Sequence, residues 1–143
     1  MELRIKKLHP DAIIPRRAKP GDSGLDLHAI LSGGPLYLQA GGRERVSTGI
    51  AIELPEGFEA QVRPRSGLAH SFGIQTAFGT VDNGYRGELW VNLFNHSFSG
   101  HTVRHGDRIA QLVICPVAYP ELVEVEELTE TERGADGFGS TGV

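Results

Sequence analysis

One cysteine in 143 residues, Cys115, leaves no partner for an internal disulfide and no thiol pair for a zinc site. Its neighbours Val113, Ile114 and Val117 predict a buried, inert thiol rather than a nucleophile. Six histidines, His9, His28, His70, His96, His101 and His105, show no metal-ligand spacing, so surface roles are expected for them. No apolar run is long enough to span a bilayer, and the start Met1 to Lys7 lacks the apolar stretch of a secretory signal. A cytoplasmic protein with no membrane partner is therefore expected. Nor is there an excess of positive charge. With 14 Lys and Arg against 18 Asp and Glu, the chain is a poor binder of nucleic acid backbone, and any polyanionic ligand must be held by locally placed cations.

Repeats, linkers and low-complexity tracts are also missing, which predicts one domain over residues 1–143. A chain of this length buries a real core but has little material for a deep cleft of its own, so oligomerisation is expected.

What is abundant is glycine (19) and proline (8), which interrupt every apolar stretch before it reaches helical length. Alternation of period two recurs between them, and it predicts an all-β protein of sandwich, barrel or jelly-roll type. Strands are expected over 3–7, 36–38, 47–54, 58–63, 73–77, 88–94, 108–113 and 123–128. One short helix is expected from Ser66, acting as N-cap, with Gly73 just beyond its end.

Five islands carry polar side chains that a β-fold does not itself require. Val81-Asp82-Asn83-Gly84-Tyr85-Arg86-Gly87 contains Asn-Gly, a strong hairpin signal, whose favoured turn needs positive φ at both positions. The turn does not account for the flanking carboxylate, phenol and guanidinium. Arg63-Pro64-Arg65-Ser66-Gly67-Leu68 places a cation, a hydroxyl and an unencumbered backbone at a helix start, where free N–H groups attract phosphate. In Ser23-Gly24-Leu25-Asp26-Leu27, Asp26 sits between apolar neighbours and either pairs inside the protein or faces a cation. In Gly106 to Leu112, Asp107 and Arg108 are expected to pair at a strand entrance, while Gln111 points away from the face of Ala110 and Leu112 and can donate to phosphate. The C-terminal Arg133 to Val143 surrounds Phe138 and two hydroxyls with glycine. It is either a frayed tail or an arm that orders over a nucleotide.

Taken in order, SGLDL, PRSGLA, GTVDNGYRGEL, GDRIAQLVI and RGADGFGSTG resemble the five motifs of the homotrimeric dUTP pyrophosphatases, over nearly the whole chain from Ala18 to Thr141. The resemblance implies a jelly-roll-like trimer in which each active site draws on all three chains, with the segment Pro116 to Pro120 as the hinge of a mobile C-terminal arm, residues 132–143, that closes over a neighbour's site. It implies hydrolysis of dUTP to dUMP and pyrophosphate, with Asp82 as the base that polarises water for in-line attack on the α-phosphorus. Arg65, Ser66, Gly67 and Gln111 match the phosphate contacts, and Arg133, Gly139, Ser140 and Thr141 match the closing ones. Phe138 matches the aromatic that stacks on uracil, and Tyr85 the ring that excludes a 2′-hydroxyl. Thr80, Val81, Asn83 and Gly84 belong to the backbone that reads the base. Thr76 falls where many bacterial members carry an asparagine near uracil, and Trp90, on the return strand, is either a nucleotide contact or a core or interface residue. Mg2+ is expected on the triphosphate, with Asp26 either touching its waters or serving the structure alone. The related dCTP deaminases activate water with a glutamate that would fall at Asn92, and an amide cannot take that proton.

Overall fold

The computed structural model describes residues 1–135. Ten strands and one short helix follow one another as β1 (Arg4–Lys7), β2 (Leu25–His28), β3 (Leu36–Leu38), β4 (Arg43–Glu53), β5 (Phe58–Arg63), α1 (Ser66–Phe72), β6 (Ile74–Thr76), β7 (Gly79–Val81), β8 (Glu88–Asn95), β9 (His101–Val103) and β10 (Arg108–Pro116). They form two four-stranded sheets, in the orders β1-β4-β8-β6 and β2-β10-β5-β7, and a small β3-β9 ribbon. The all-β expectation holds.

Alternation explains how each strand finds its face. Along β8, Leu89, Val91, Leu93 and Asn95 are buried while Trp90 and Asn92 face outward. Along β5, Ala60 and Val62 enter the core. Together with Val46, Ile50, Leu27, Ile109 and Leu112 they form one apolar cluster to which both four-stranded sheets contribute. The polar exception, Asn95, is 1 % exposed and fully satisfied. Its amide donates to the Leu38 and Ser99 carbonyls, and its oxygen accepts from the Ser97 amide and hydroxyl.

Three short strands, β2, β7 and β9, lie where the sequence pattern predicts none; each is defined by its ladder, to β10, β5 and β3 respectively. The strand expected over 123–128 does not form. Every residue from 118 to 135 is exposed, and Leu122, Val123, Val125 and Leu128 are 55–92 % exposed. A strand requires a neighbour to pair with, and among the described residues this segment has none. The helix also differs from expectation: Arg65, not Ser66, occupies the N-cap in an extended conformation, and Ser66 is the first helical residue. Gly73 closes the helix as expected, at φ 67° with its N–H on Ala69. Cys115 is half-buried, with the Arg63 guanidinium 3.7 Å from its sulfur.

β4 serves two partners. Residues 50–53 pair with β1 on one side, residues 43–47 and Ala51 pair with β8 on the other, and the ladder to β8 slips between Ser47 and Ala51. Gly49 makes this bulge possible at φ 66°, where an added Cβ would lie 3.0 Å from Cβ of both His9 and Ala12 and 3.2 Å from Ile30 Cγ1. Its N–H donates to the Glu88 carboxylate at 2.9 Å, which fixes the start of β8. Gly49→Ala combines left-handed backbone with crowding and should cost about 2–3 kcal/mol in stability, measured by denaturant unfolding.

Candidate active site

The loop from Val81 to Gly87 joins two strands that do not pair with each other. β7 is the last strand of one sheet, hydrogen-bonded only to β5 through Ala60↔Val81, Gln61↔Thr80 and Val62↔Gly79. β8 lies in the other sheet, where β6 covers only Leu93–Asn95. The outer edge of β7 and the Glu88–Val91 edge of β8 are thus both open, and between them lies a cavity of about 230 Å³ lined by Val62, Gly79, Thr80, Val81, Asp82, Tyr85, Glu88, Leu89 and Trp90.

Backbone parity says which groups of β8 face that cavity. The Leu89 carbonyl accepts from Thr48 on the β4 side at 2.6 Å, whereas the carbonyls of Glu88 and Asn92 accept from Tyr85 and Ala77 on the opposite side. By alternation the N–H and C=O of Trp90 also face the open edge. A flat heterocycle with its own donors and acceptors is the kind of ligand two unpaired strand edges can hold.

The turn itself departs from the expected two-residue hairpin. Tyr85 N–H donates to the Asp82 carbonyl at 3.0 Å, closing a β-turn, but Gly84 is not in the left-handed region and open space surrounds it. Asn83 is committed to structure, its amide donating to the Leu54 and Pro55 carbonyls at 3.0 and 2.7 Å. That anchor leaves Asp82 exposed at the cavity rim. Tyr85 is pinned by its hydroxyl, which donates to the Glu88 carbonyl at 2.9 Å. Gly87 permits this, since a Cβ there would overlap the phenol. Thr76 is in the core, its hydroxyl donating to the Ile109 carbonyl, and lines neither this cavity nor the next.

A second cavity, of about 390 Å³, lies at the other end of β5 and brings three sequence islands together: Ser23, Gly24 and Asp26; Arg65, Ser66 and Gly67; and Gln111. Asp26 lies opposite Gln111 across the β2–β10 ladder, and Gln111 lies opposite Arg63 across the next. The alternatives for Asp26 resolve toward pairing. Its carboxylate, 15 % exposed, meets Arg65 Nε at 3.2 Å and Arg108 Nη1 at 3.3 Å. Arg65 also donates to the Arg108 carbonyl at 3.1 Å, so its guanidinium is held in one orientation. The expected Asp107–Arg108 pair is absent. Asp107 accepts from the Arg104 N–H at 2.7 Å, capping the β9–β10 turn, and Arg108 turns to Asp26 instead. Gln111 donates to the Pro64 carbonyl at 2.9 Å and lies across Gly24, where a Cβ would overlap it. Gly24 and Gly87 are the positions that sequence reasoning did not single out; a glycine beside a polar island is the signal that was available.

Behind Asp26, His28 has a buried Nδ1 without a hydrogen-bond partner. Burial lowers its pKa, as do Arg108, Arg16 and Arg65, against the opposing pull of Asp26. The shift favours the neutral imidazole beside the arginines.

Among the described residues no cluster of His, Cys, Asp or Glu is suited to hold a metal ion by itself. With both oxygens of Asp26 engaged by arginines, the donor set fits a cation that arrives with its own anionic ligand and waters. Arg133 lies in the exposed tail; Phe138, Gly139, Ser140 and Thr141 are outside the described residues.

Comparison with known proteins identifies the family. The dUTPase family profile matches residues 10–142. A deoxyuridine 5′-triphosphate nucleotidohydrolase from Nautilia profundicola is 48 % identical over 144 residues, covering 99 % of each chain. Among solved structures, the dUTPase of Staphylococcus bacteriophage 80alpha with dUpNHpp superposes with a TM-score of 0.91 at 29 % identity over 99 % of both chains. A mutant dUTPase from phage phi11 of S. aureus, which coordinates a structural Mg(II) ion, gives 0.83 at 25 % identity over 91 % of this chain and 100 % of its own. The chain belongs to the dUTPase family, and its activity is dUTP nucleotide hydrolysis.

Proposed function

We propose that the chain hydrolyses dUTP to dUMP and pyrophosphate, with Asp82 activating water for in-line attack on the α-phosphorus, in sites assembled from several copies of a homotrimer. The observation that carries this reading is the exposed Asp82 at the rim of a cavity bounded by two open strand edges. Uracil presents one N–H between two carbonyls, a pattern that backbone edges complement. The narrow approach disfavours the methyl of thymine, and the fixed phenol of Tyr85 disfavours a 2′-hydroxyl. A carboxylate at the rim suits phosphoryl transfer, where positioning and charge stabilisation dominate.

The phosphate half is the Arg65, Ser66, Gly67 and Gln111 cradle, with Arg133, Gly139, Ser140 and Thr141 proposed as closing contacts and Phe138 as the lid on the base. Within one chain the two halves stand well apart, which supports a site shared between copies. Projecting the registers, Asp82 stands two strands across and four residues along from Gln111, about 16 Å at ~4.8 Å per strand and ~3.3 Å per residue. Hydrogen-bonded catalysis needs contacts of about 3 Å. A neighbouring copy supplying the cradle brings the halves together, and the exposed 118–135 segment, which forms no strand, supports exchange of the C-terminal arm between copies. Mg2+ bound to the triphosphate would supply charge neutralisation there; Asp26 orients Arg65 and reaches the metal only through water.

Asn92 is exposed and does not line the nucleoside cavity, so the position where a deaminase would carry its glutamate offers no base. The activity would keep uracil out of DNA and supply dUMP for thymidylate synthesis, in the cytoplasm.

Purified protein incubated with dUTP, dCTP, UTP and dTTP plus Mg2+ should release pyrophosphate from dUTP alone and ammonia from none. Ammonia from dCTP would favour the deaminase reading, and no pyrophosphate from dUTP would defeat the proposal. Asp82→Asn should lower kcat by about a thousandfold while dUpNHpp affinity, measured by calorimetry, stays within about threefold.

A further inference from the structure

Next to the Arg65, Ser66, Gly67 and Gln111 cradle lies a larger cavity, of about 610 Å³, that the proposed reaction does not use. Asp26 borders both. Gly24 and Gln111 line the cradle, while His28 and Arg108, which pair across the β2–β10 ladder, line the larger cavity. The remaining wall is the chain ahead of β2. It is tied to that strand by the Asp26 N–H on the Arg16 carbonyl at 3.0 Å, and it brings Arg16 and Arg17 to the cavity.

Three guanidinium groups thus converge on one concave surface, in a chain whose 14 cationic residues are outnumbered by 18 acidic ones. The carboxylates beside them are already engaged. Asp26 meets Arg65 and Arg108 at 3.2 and 3.3 Å, and Asp107 accepts from the Arg104 N–H at 2.7 Å. Arg16 is not engaged: among the described residues its side chain makes no hydrogen bond or ion pair. Arg17 donates through Nε to the Asp22 carbonyl at 2.7 Å, which orients the guanidinium and leaves both Nη groups to other acceptors. Like charges gathered in a concavity repel, and an anion between them relieves the repulsion. His28, in the same wall, registers that field. Burial lowers its pKa, and Arg108, Arg16 and Arg65 lower it further against the pull of Asp26.

We infer that this cavity is a second anion site, separate from the cradle, that takes a small oxyanion of phosphate chemistry on Arg16, Arg17 and Arg108. Planar guanidinium forks match phosphate oxygens in pairs, and two such forks from adjacent residues suit an anion with several oxygens. Inorganic phosphate and inorganic pyrophosphate share this chemistry, and the second is released by the proposed reaction. Binding here depends on the arginines alone and not on the reading of Asp82 as the water-activating group.

The test is calorimetry on the full chain with the cradle first saturated by dUpNHpp and Mg2+, using inorganic phosphate and inorganic pyrophosphate as separate titrants at matched free Mg2+. Wild type should still bind one anion per chain. Arg16→Gln, which breaks no hydrogen bond of the protein, should weaken that binding about tenfold, and Arg16→Gln with Arg17→Gln should weaken it beyond detection. Arg16→Lys with Arg17→Lys keeps the charge, loses the forks and should fall between wild type and the Gln pair. In every variant kcat and KM for dUTP should stay within about twofold of wild type, which also shows that the variants fold. Tighter binding of pyrophosphate than of phosphate identifies the released product as the ligand, and the reverse order identifies free phosphate. Wild type that binds neither anion once dUpNHpp is in place overturns the inference, because the cradle then accounts for all anion binding. Equal affinity in wild type and the Gln pair overturns it as well. So does an Arg16→Gln enzyme that keeps its fold by circular dichroism but loses dUTP turnover, which would put Arg16 in the cradle. If wild type fails to bind dUpNHpp, the reading of the cradle fails instead, and the same titrations without dUpNHpp still decide this site.

Discussion

Two strands adjacent in the chain are denied to each other as partners, and the candidate site follows from that denial. β7 is hydrogen-bonded to β5 and β8 to β4, so the loop between them bridges two sheets instead of closing a ladder. Backbone N–H and C=O groups on facing edges are strong, obligatory hydrogen-bonding groups. Here they surround a cavity sized for a heterocycle, with a carboxylate and a phenol at its rim. Specificity for a base then needs few dedicated side chains, because the main chain carries the donor and acceptor pattern.

The rest of the fold keeps that gap open. Gly49 allows β4 to shift register against β8 where it also pairs with β1, and its N–H, with the Ser47 hydroxyl, fixes Glu88 at the start of the open edge. Asn83 ties the turn to the β4–β5 connection, and Gly87 gives Tyr85 room to lie down on Glu88. At the far end of β5, Asp26 holds Arg65 and Arg108, and Gly24 admits Gln111. Both halves use a glycine to let one functional side chain pack closely and a polar anchor to fix another. Among the described residues neither half contains a cluster of His, Cys, Asp or Glu suited to hold a metal ion.

Much of this was legible in the residues. Long alternating segments such as those of β5 and β8 gave the all-β class, and Gly73 marked the end of the helix. Four of the polar islands pointed to side chains that line the two cavities; most of the fifth lies outside the described residues. What was not legible depends on pairing. Short strands such as β7 and β9 exist because of their neighbours, and the 123–128 pattern fails as a strand because it finds no pairing neighbour among the described residues. Asn-Gly in the 81–87 loop suggested a tight hairpin, yet the amide of Asn83 is taken by Leu54 and Pro55 and Gly84 does not adopt positive φ. Asp107 and Arg108, neighbours in sequence, take different partners because the turn amide of Arg104 and the carboxylate of Asp26 are better placed. Thr76, aligned by position with a base contact, is drawn into the core by the Ile109 carbonyl.

The central claim is that the carboxylate half and the phosphate half of one site come from different copies of the chain. Subunit mixing tests it directly. Chains carrying Asp82→Asn and chains carrying both Ser66→Ala and Gln111→Ala are each purified, then unfolded and refolded together in equal amounts. In a closed ring with random assembly, roughly a quarter of the sites pair an intact carboxylate with an intact cradle, so the mixture should recover roughly a quarter of wild-type dUTP hydrolysis. A mixture no more active than its two parents would contradict the account and place both halves of the site on one chain.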